Sequence, residues 1–296
     1  MNLWRLHVRP DAKETFDPVD VCLTHRFIGV GWRVSEAPDT GDAYLRIGER
    51  EYGDRGWRTA ANAIVRRIAV GDLVWFRSTQ GVYYLALVTG PWQYRVDSPF
   101  LEADIVNTRP AEIVEVGPSV PGKIVSSFYR GATLQTIGGE TSSLWSAIRF
   151  NELSRTRTVA VPKSAANLFD LIRDDELEDA VGLYLQSKHE FVVVPSSRTR
   201  RNDTIFYEYQ LLSERTGRPA YVQVKSGDEV IDFGWYVNFP CDVWVFSPAG
   251  YVGTPGSHVR VVDKNELRSF LFDKASPLPD NLRVWVQWAI AHGFAA

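Results

Sequence analysis

The chain has 296 residues, 33 Lys and Arg against 36 Asp and Glu, and a net charge of −3, which is long enough for two domains of roughly 100 to 200 residues each. A sequence pI of about 6.0 excludes nucleic-acid binding through overall basicity and leaves it to local patches. No run of about 18 apolar residues predicts a membrane span. The start MNLWRLHVRP lacks a secretory-signal pattern, which implies a cytoplasmic protein, and Cys22 and Cys241 are too few for a disulfide framework or a cysteine zinc site.

From the start to about residue 150 the chain reads as mostly β, in short alternating runs between Gly and Pro. Ala60 to Ile68 is free of both, with Ala61, Ile64, Val65 and Ile68 at helical spacing, and predicts a short helix. It leads into a hairpin: Gly71 to Arg77, the turn Ser78 to Gly81, then Val82 to Val88. Many short strands with one or two helices predict a small barrel. Around NELSRTRTVAVPKSAA periodicity is lost and Pro162 marks a linker. The predicted organisation is therefore a domain over residues 1–155, a linker over 156–166 and a second domain over 167–296. In the second domain a helix, three strands and a last helix near Leu282 to Ala291 predict an α/β unit with a central mixed sheet, and an α+β class for the whole chain.

The chemistry-bearing residues lie in the second domain. DDELEDAVGLYLQSK, opening at Asp174 and Asp175, has the acidic first turn and the apolar stripe (Leu177, Val181, Tyr184, Leu185) of a helix. Glu178 borders that stripe and needs a cation or metal as partner, whereas Glu176 and Asp179 are expected to point to water. The run Ile205 to Leu212 predicts a strand that puts Glu208 on one face with Phe206 and Leu212. After a turn through Gly217 and Pro219 the chain returns as AYVQVK, with Tyr221, Gln223 and Lys225 on one face. Adjacent strands then bring Glu208, Gln223 and Lys225 together. A carboxylate and an amide oxygen suit Mg²⁺, which prefers oxygen ligands, and an ammonium beside them suits phosphodiester hydrolysis. Arg198, Arg200 and Arg201 form a basic run that can meet phosphate, as can the pairs Arg66 with Arg67 and Arg155 with Arg157. Asp228 and Asp232 follow the Lys and read as turn or solvated residues. The five His show no ligand spacing such as HExxH.

Taken together, Glu178, Glu208 and Gln223-Val224-Lys225-Ser226-Gly227 resemble the PD-(D/E)xK nuclease superfamily. The similarity is to the branch in which Gln replaces the second acid, as in restriction nucleases directed at modified DNA. The resemblance spans about residues 170 to 250. It implies Glu178, Glu208 and Gln223 as ligands of Mg²⁺ or Mn²⁺ and Lys225 as the catalytic Lys. The first acid is Glu rather than Asp and has no preceding Pro, so Asp203 remains a competing assignment. In the first domain, Ile28-Gly29-Val30-Gly31-Trp32, the helix-to-hairpin pattern Ile64 to Val88 and Thr89-Gly90-Pro91-Trp92-Gln93-Tyr94 resemble PUA-like barrels of the EVE and YTH kind. Such domains hold a flipped-out modified base in an aromatic pocket, and base–aromatic stacking contributes about 1 to 3 kcal/mol per base. Trp32, Tyr84 and Trp92 are the expected walls and Arg77 an edge reader, with Trp57, Trp75 and Tyr94 as further aromatic candidates. The resemblance implies a modification-dependent endonuclease that restricts phage DNA. The expected substrate is double-stranded DNA with modified bases, and a homodimer is expected because two strands need two sites. An RNA-directed nuclease and a catalytically inactive binder of modified nucleic acid are the alternatives.

Overall fold

A computed structural model describes residues 1–8, 17–129, 131–161, 168–172, 175–198 and 207–293. The chain divides into two compact units, Met1–Pro162 and Lys163–Ala296. Helices and strands mix in both, around a curled half-barrel sheet in the first and a mixed sheet in the second. No helix among the described residues is long and apolar enough to cross a membrane.

The first unit runs β1 (Leu3–Leu6), α1 (Pro18–His25), β2 (Phe27–Val30), α2 (Gly41–Glu51), α3 (Arg55–Asn62), β3 (Leu73–Arg77), β4 (Tyr83–Val88), β5 (Gln93–Tyr94), β6 (Asn107–Gly117), α4 (Gly122–Ser127), β7 (Leu134–Thr136) and α5 (Glu140–Leu153). Its first three helices begin where polar side chains satisfy free amides. Asp17 accepts from the Val19 amide, Thr40 from Ala43 and Asp54 from Trp57. The predicted hairpin forms as β3 and β4, antiparallel from Leu73 opposite Leu87 to Arg77 opposite Tyr83. The sheet order is β2-β6-β4-β3-β1-β7, and the sheet curls without pairing its two end strands. Asp72 ties the central strands at one end, accepting from the Asn2 amide at 2.7 Å and from Trp4 Nε1 at 3.0 Å.

The helix expected over Ala60 to Ile68 is not one regular helix: α3 stops at Asn62 and a π-helical turn covers Ala63–Arg67. The cause lies on a distant strand. The buried guanidinium of Arg109, on β6, donates from Nε to the Ile64 carbonyl at 2.6 Å and from Nη2 to that of Val65 at 2.9 Å. A cation held over these carbonyls satisfies acceptors that the widened turn leaves open. Burial lowers the Arg109 pKa, offset in part by Asp72.

The second unit runs α6 (Leu168–Leu171), α7 (Asp175–His189), β8 (Phe191–Val193), β9 (Tyr209–Ser213), β10 (Pro219–Val224), β11 (Ile231–Asp232), β12 (Asp242–Phe246), β13 (Tyr251–Val252), β14 (Val259–Val261), α8 (Lys264–Phe272) and α9 (Asp280–Ala291). Its five-stranded sheet has the order β14-β12-β10-β9-β8. β10 is parallel to β12 and antiparallel to β9, so the sheet is mixed. The α7 stripe of Leu177, Val181, Tyr184 and Leu185 is buried, as its 3.6-residue spacing demands. Glu176 departs from expectation. Instead of facing water it is only 8% exposed, and Trp285 of α9 donates Nε1 to its carboxylate at 3.1 Å. Burial pushes its pKa up to about 8, against smaller lowering contributions from Trp285 and Asn281.

Candidate active site

The antiparallel register that sets Val222 opposite Tyr209 puts Gln223 opposite Glu208, one residue before β9 begins. The Glu208 amide extends the ladder by donating to the Val222 carbonyl at 2.7 Å. On the side-chain level the pair is joined directly: Gln223 Nε2 donates to Glu208 Oε1 at 2.6 Å. Lys225 continues the same strand, with its amide on the Phe246 carbonyl at 2.9 Å, and alternation returns its side chain to the Gln223 face. Its ammonium lies 3.5 Å from the exposed carboxylate of Glu229. An exposed pair of this kind contributes little, so the ammonium can exchange partners at small cost.

Glu178 reaches this end of the sheet from α7. That helix packs on the opposite face, where Tyr209 donates its hydroxyl to the Glu178 carbonyl at 3.0 Å. The Glu178 carboxylate is engaged by Arg198 at 3.0 Å, and the same guanidinium lies 3.2 Å from Asp179 and 4.0 Å from Asp175. Burial raises the Glu178 pKa to about 7; Arg198 opposes the rise, and the charges of Glu208 and Asp175 add to it. The two site carboxylates are thus near enough to repel, and Arg198 is the cation that keeps the acidic group together. A cleft of about 810 Å³ opens beside it, lined by Glu178, Asp179, Arg198, Tyr209, Val193 and Leu278 among others. Arg200 and Arg201, the other two members of the basic run, and Asp203, the competing acid, lie outside the described residues, as do Asp174 and Phe206.

Gln223 carries the feature that bears on a metal. Its side chain is 1% exposed, and Oε1 has no hydrogen-bond partner. A buried carbonyl without a donor costs about 1 to 3 kcal/mol, and a neutral amide oxygen beside a carboxylate is a donor set that hard divalent cations take. With the amide turned so that Oε1 rather than Nε2 faces Glu208, the pair offers two oxygen donors that fit Mg²⁺ or Mn²⁺. Among the described residues no group of three or more His, Cys, Asp or Glu is arranged to hold a metal ion, so the fit rests on the amide and Glu208. Glu178 is held instead by Arg198.

In the first unit the residues singled out from sequence separate. Trp32 has a left-handed backbone, φ 64°, which is costly for a bulky residue unless its surroundings impose it. They do: Asn107 Nδ2 donates to the Gly31 carbonyl at 2.6 Å and the Tyr44 hydroxyl to that of Trp32 at 3.1 Å. Trp92 supports this network by donating Nε1 to Asn107 at 3.2 Å. A cleft of about 380 Å³ opens in front of Trp32, lined also by Gly29, Gly31, Arg33, Tyr52 and Asp104. Asp104 too is left-handed, φ 49°. Its carboxylate lies so close that a Cβ on Gly31 would fall 2.3 Å from Oδ2 and push the Asp104 side chain aside. Tyr84 stacks on Phe76 at 5.3 Å, and the Arg77 guanidinium lies 5.1 Å over Phe128; neither lines this cleft. Trp57 and Trp75 are core residues, and Trp75 Nε1 donates to Ser146 at 2.9 Å. Tyr52 and Asp104 escaped the sequence reading, because only the folded loops bring them to Trp32.

Compared with known protein families, curated proteins and solved structures, the chain matches none.

Proposed function

We propose that the chain is a metal-dependent endodeoxyribonuclease of the PD-(D/E)xK kind, whose PUA-like N-terminal unit directs it to DNA carrying a modified base. The observation that carries this reading is the buried, unpartnered Gln223 Oε1 beside Glu208, with Lys225 next on the same strand face. Glu208 and Gln223 would hold Mg²⁺ or Mn²⁺, with Glu178 after release from Arg198. A bound divalent ion supplies charge withdrawal from the scissile phosphate and a more acidic attacking water. Lys225 Nζ, moved off Glu229, donates to the charge that develops on phosphate oxygens. Freed from Glu178, Arg198 is a bidentate donor suited to a neighbouring phosphate. The cleft at Trp32 falls in the size range of small-ligand sites, roughly 300 to 1,000 Å³, and its indole offers a stacking face to an extruded base. Cleavage of both strands calls for a homodimer or a second copy, and the biological role that fits is restriction of modified phage DNA.

A second reading, a binder of modified nucleic acid without cleavage, is favoured by the ion pair that occupies Glu178. One experiment separates the two. Plasmid and phage DNA, unmodified or carrying methylated, hydroxymethylated or glucosylated cytosine or methylated adenine, is incubated with Mg²⁺ or Mn²⁺ and either the wild type or Lys225→Ala. Cutting restricted to modified DNA and abolished by Lys225→Ala is the expected result. Binding without cutting under every condition overturns the nuclease reading, and cutting of RNA alone overturns the DNA substrate.

A further inference from the structure

Tyr236 ends the short 3-10 turn Phe233–Tyr236 that follows β11. It belongs to one buried cluster with Val243 and Val245 of β12. The parallel register sets Val243 beside Tyr221 and Val245 beside Gln223, so Tyr236 covers the sheet face that carries Gln223, and with it Glu208. The residue is 0% exposed, and its hydroxyl has no hydrogen-bond partner. A buried hydroxyl left unpaired is uncommon and needs an explanation. Burial first, and then the charge of Glu208, raises the Tyr236 pKa well above its ordinary value. The phenol is therefore a neutral donor with a carboxylate in its neighbourhood.

Two buried polar groups without partners thus lie on the sheet face that carries Glu208: an acceptor, Gln223 Oε1, and a donor, Tyr236 Oη–H. In the arrangement seen, Glu208 accepts from Gln223 Nε2 at 2.6 Å, in addition to a further interaction of its own. For Gln223 and Glu208 to face one cation, the amide must turn so that Oε1 replaces Nε2. That rotation removes the amide donor from Glu208. We propose that Tyr236 is a positioning residue of this site, its hydroxyl becoming the donor to Glu208 when Gln223 turns to present its carbonyl to a divalent cation. The inference rests on the metal-site reading above and adds to it a residue that fixes the orientation of a ligand carboxylate, a role in which hydrogen-bonding partners of ligands typically change metal affinity about 10- to 100-fold.

The test is Tyr236→Phe in the full chain, which keeps the ring and removes the hydroxyl. Mn²⁺ affinity is measured by titration calorimetry, melting temperature with and without Mn²⁺, and cleavage of modified DNA alongside. The expected result has three parts: an unchanged or raised melting temperature without metal, Mn²⁺ affinity lower by about tenfold or more, and a cleavage defect that higher Mn²⁺ partly rescues. A purely structural hydroxyl would lower the metal-free melting temperature and leave Mn²⁺ affinity alone, and that result overturns the proposal. So does a Phe variant that binds Mn²⁺ as the wild type does; if the wild type then still binds Mn²⁺ and cuts, the nuclease reading stands and only Tyr236 loses its role. Should the wild type itself fail to bind Mn²⁺, the metal site and the Tyr236 inference fall together.

Discussion

Replacing Glu176 by Gln removes a charge from the interior of the second unit and leaves the shape and the acceptor for Trp285 Nε1 in place. Burial raises the Glu176 carboxyl from an ordinary 4.5 to about 8, so the folded state holds this proton more tightly than the unfolded chain. Stability from this group is therefore fully present below about pH 4.5, declines as pH rises, and is lost above about 8. At about 1.4 kcal/mol per pH unit the whole interval corresponds to roughly 5 kcal/mol, and relaxation around the charge reduces this to about 2 to 5 kcal/mol. Glu176→Gln should differ from wild type by less than about 1 kcal/mol at pH 5 and be about 2 to 5 kcal/mol more stable at pH 9. Glu178 and Asp179 are also raised and are present in both proteins, so only the part of Asp179 that couples to Glu176 enters the difference. The assay is urea unfolding at pH 5, 7 and 9 followed by tryptophan fluorescence, with the transition of the first unit as internal reference. A difference independent of pH, or a wild type that is the more stable protein at pH 9, refutes the reasoning.

The base-reading cleft predicts that Trp32→Ala weakens binding of a duplex with one modified base by about 5- to 150-fold, the equivalent of one lost stacking contact. Tyr84→Phe, altered outside the cleft, should bind as the wild type does; fluorescence anisotropy of labelled duplexes decides, and equal losses in both variants would move the site away from Trp32. The two free thiols should differ sharply. Cys22 is buried and its pKa is pushed up to about 12 by burial, whereas Cys241 is partly exposed. Since the thiolate is the reactive form, iodoacetamide at pH 8 should label Cys241 in the native protein and Cys22 only after denaturation, as read by mass spectrometry of peptides.

Local periodicity served well where one side of an element faces a core. The hairpin of β3 and β4 and the stripe on α7 were legible because a 2.0- or 3.6-residue repeat is set by the element's own geometry. The juxtaposition of Glu208 with Gln223 followed from the same period-two alternation plus a short turn. Glu176 was misplaced because what buries it is Trp285, 109 residues further on, and nothing in the helix's own sequence announces that neighbour. The π-helical turn at Ala63–Arg67 escaped for a similar reason, since its open carbonyls are satisfied by Arg109 on β6. Tyr236 is one aromatic among several in FGWYVNF, and only the packing of that turn with β12 in one buried cluster brings it into the Glu208 neighbourhood. Elements, their apolar faces and the strand partners of the candidate site are local properties, written at intervals of two to four residues. Which carboxylate is buried, which cation holds Glu178 and which buried polar atoms go unpaired depend on contacts between distant segments, and those exist only once the chain has folded.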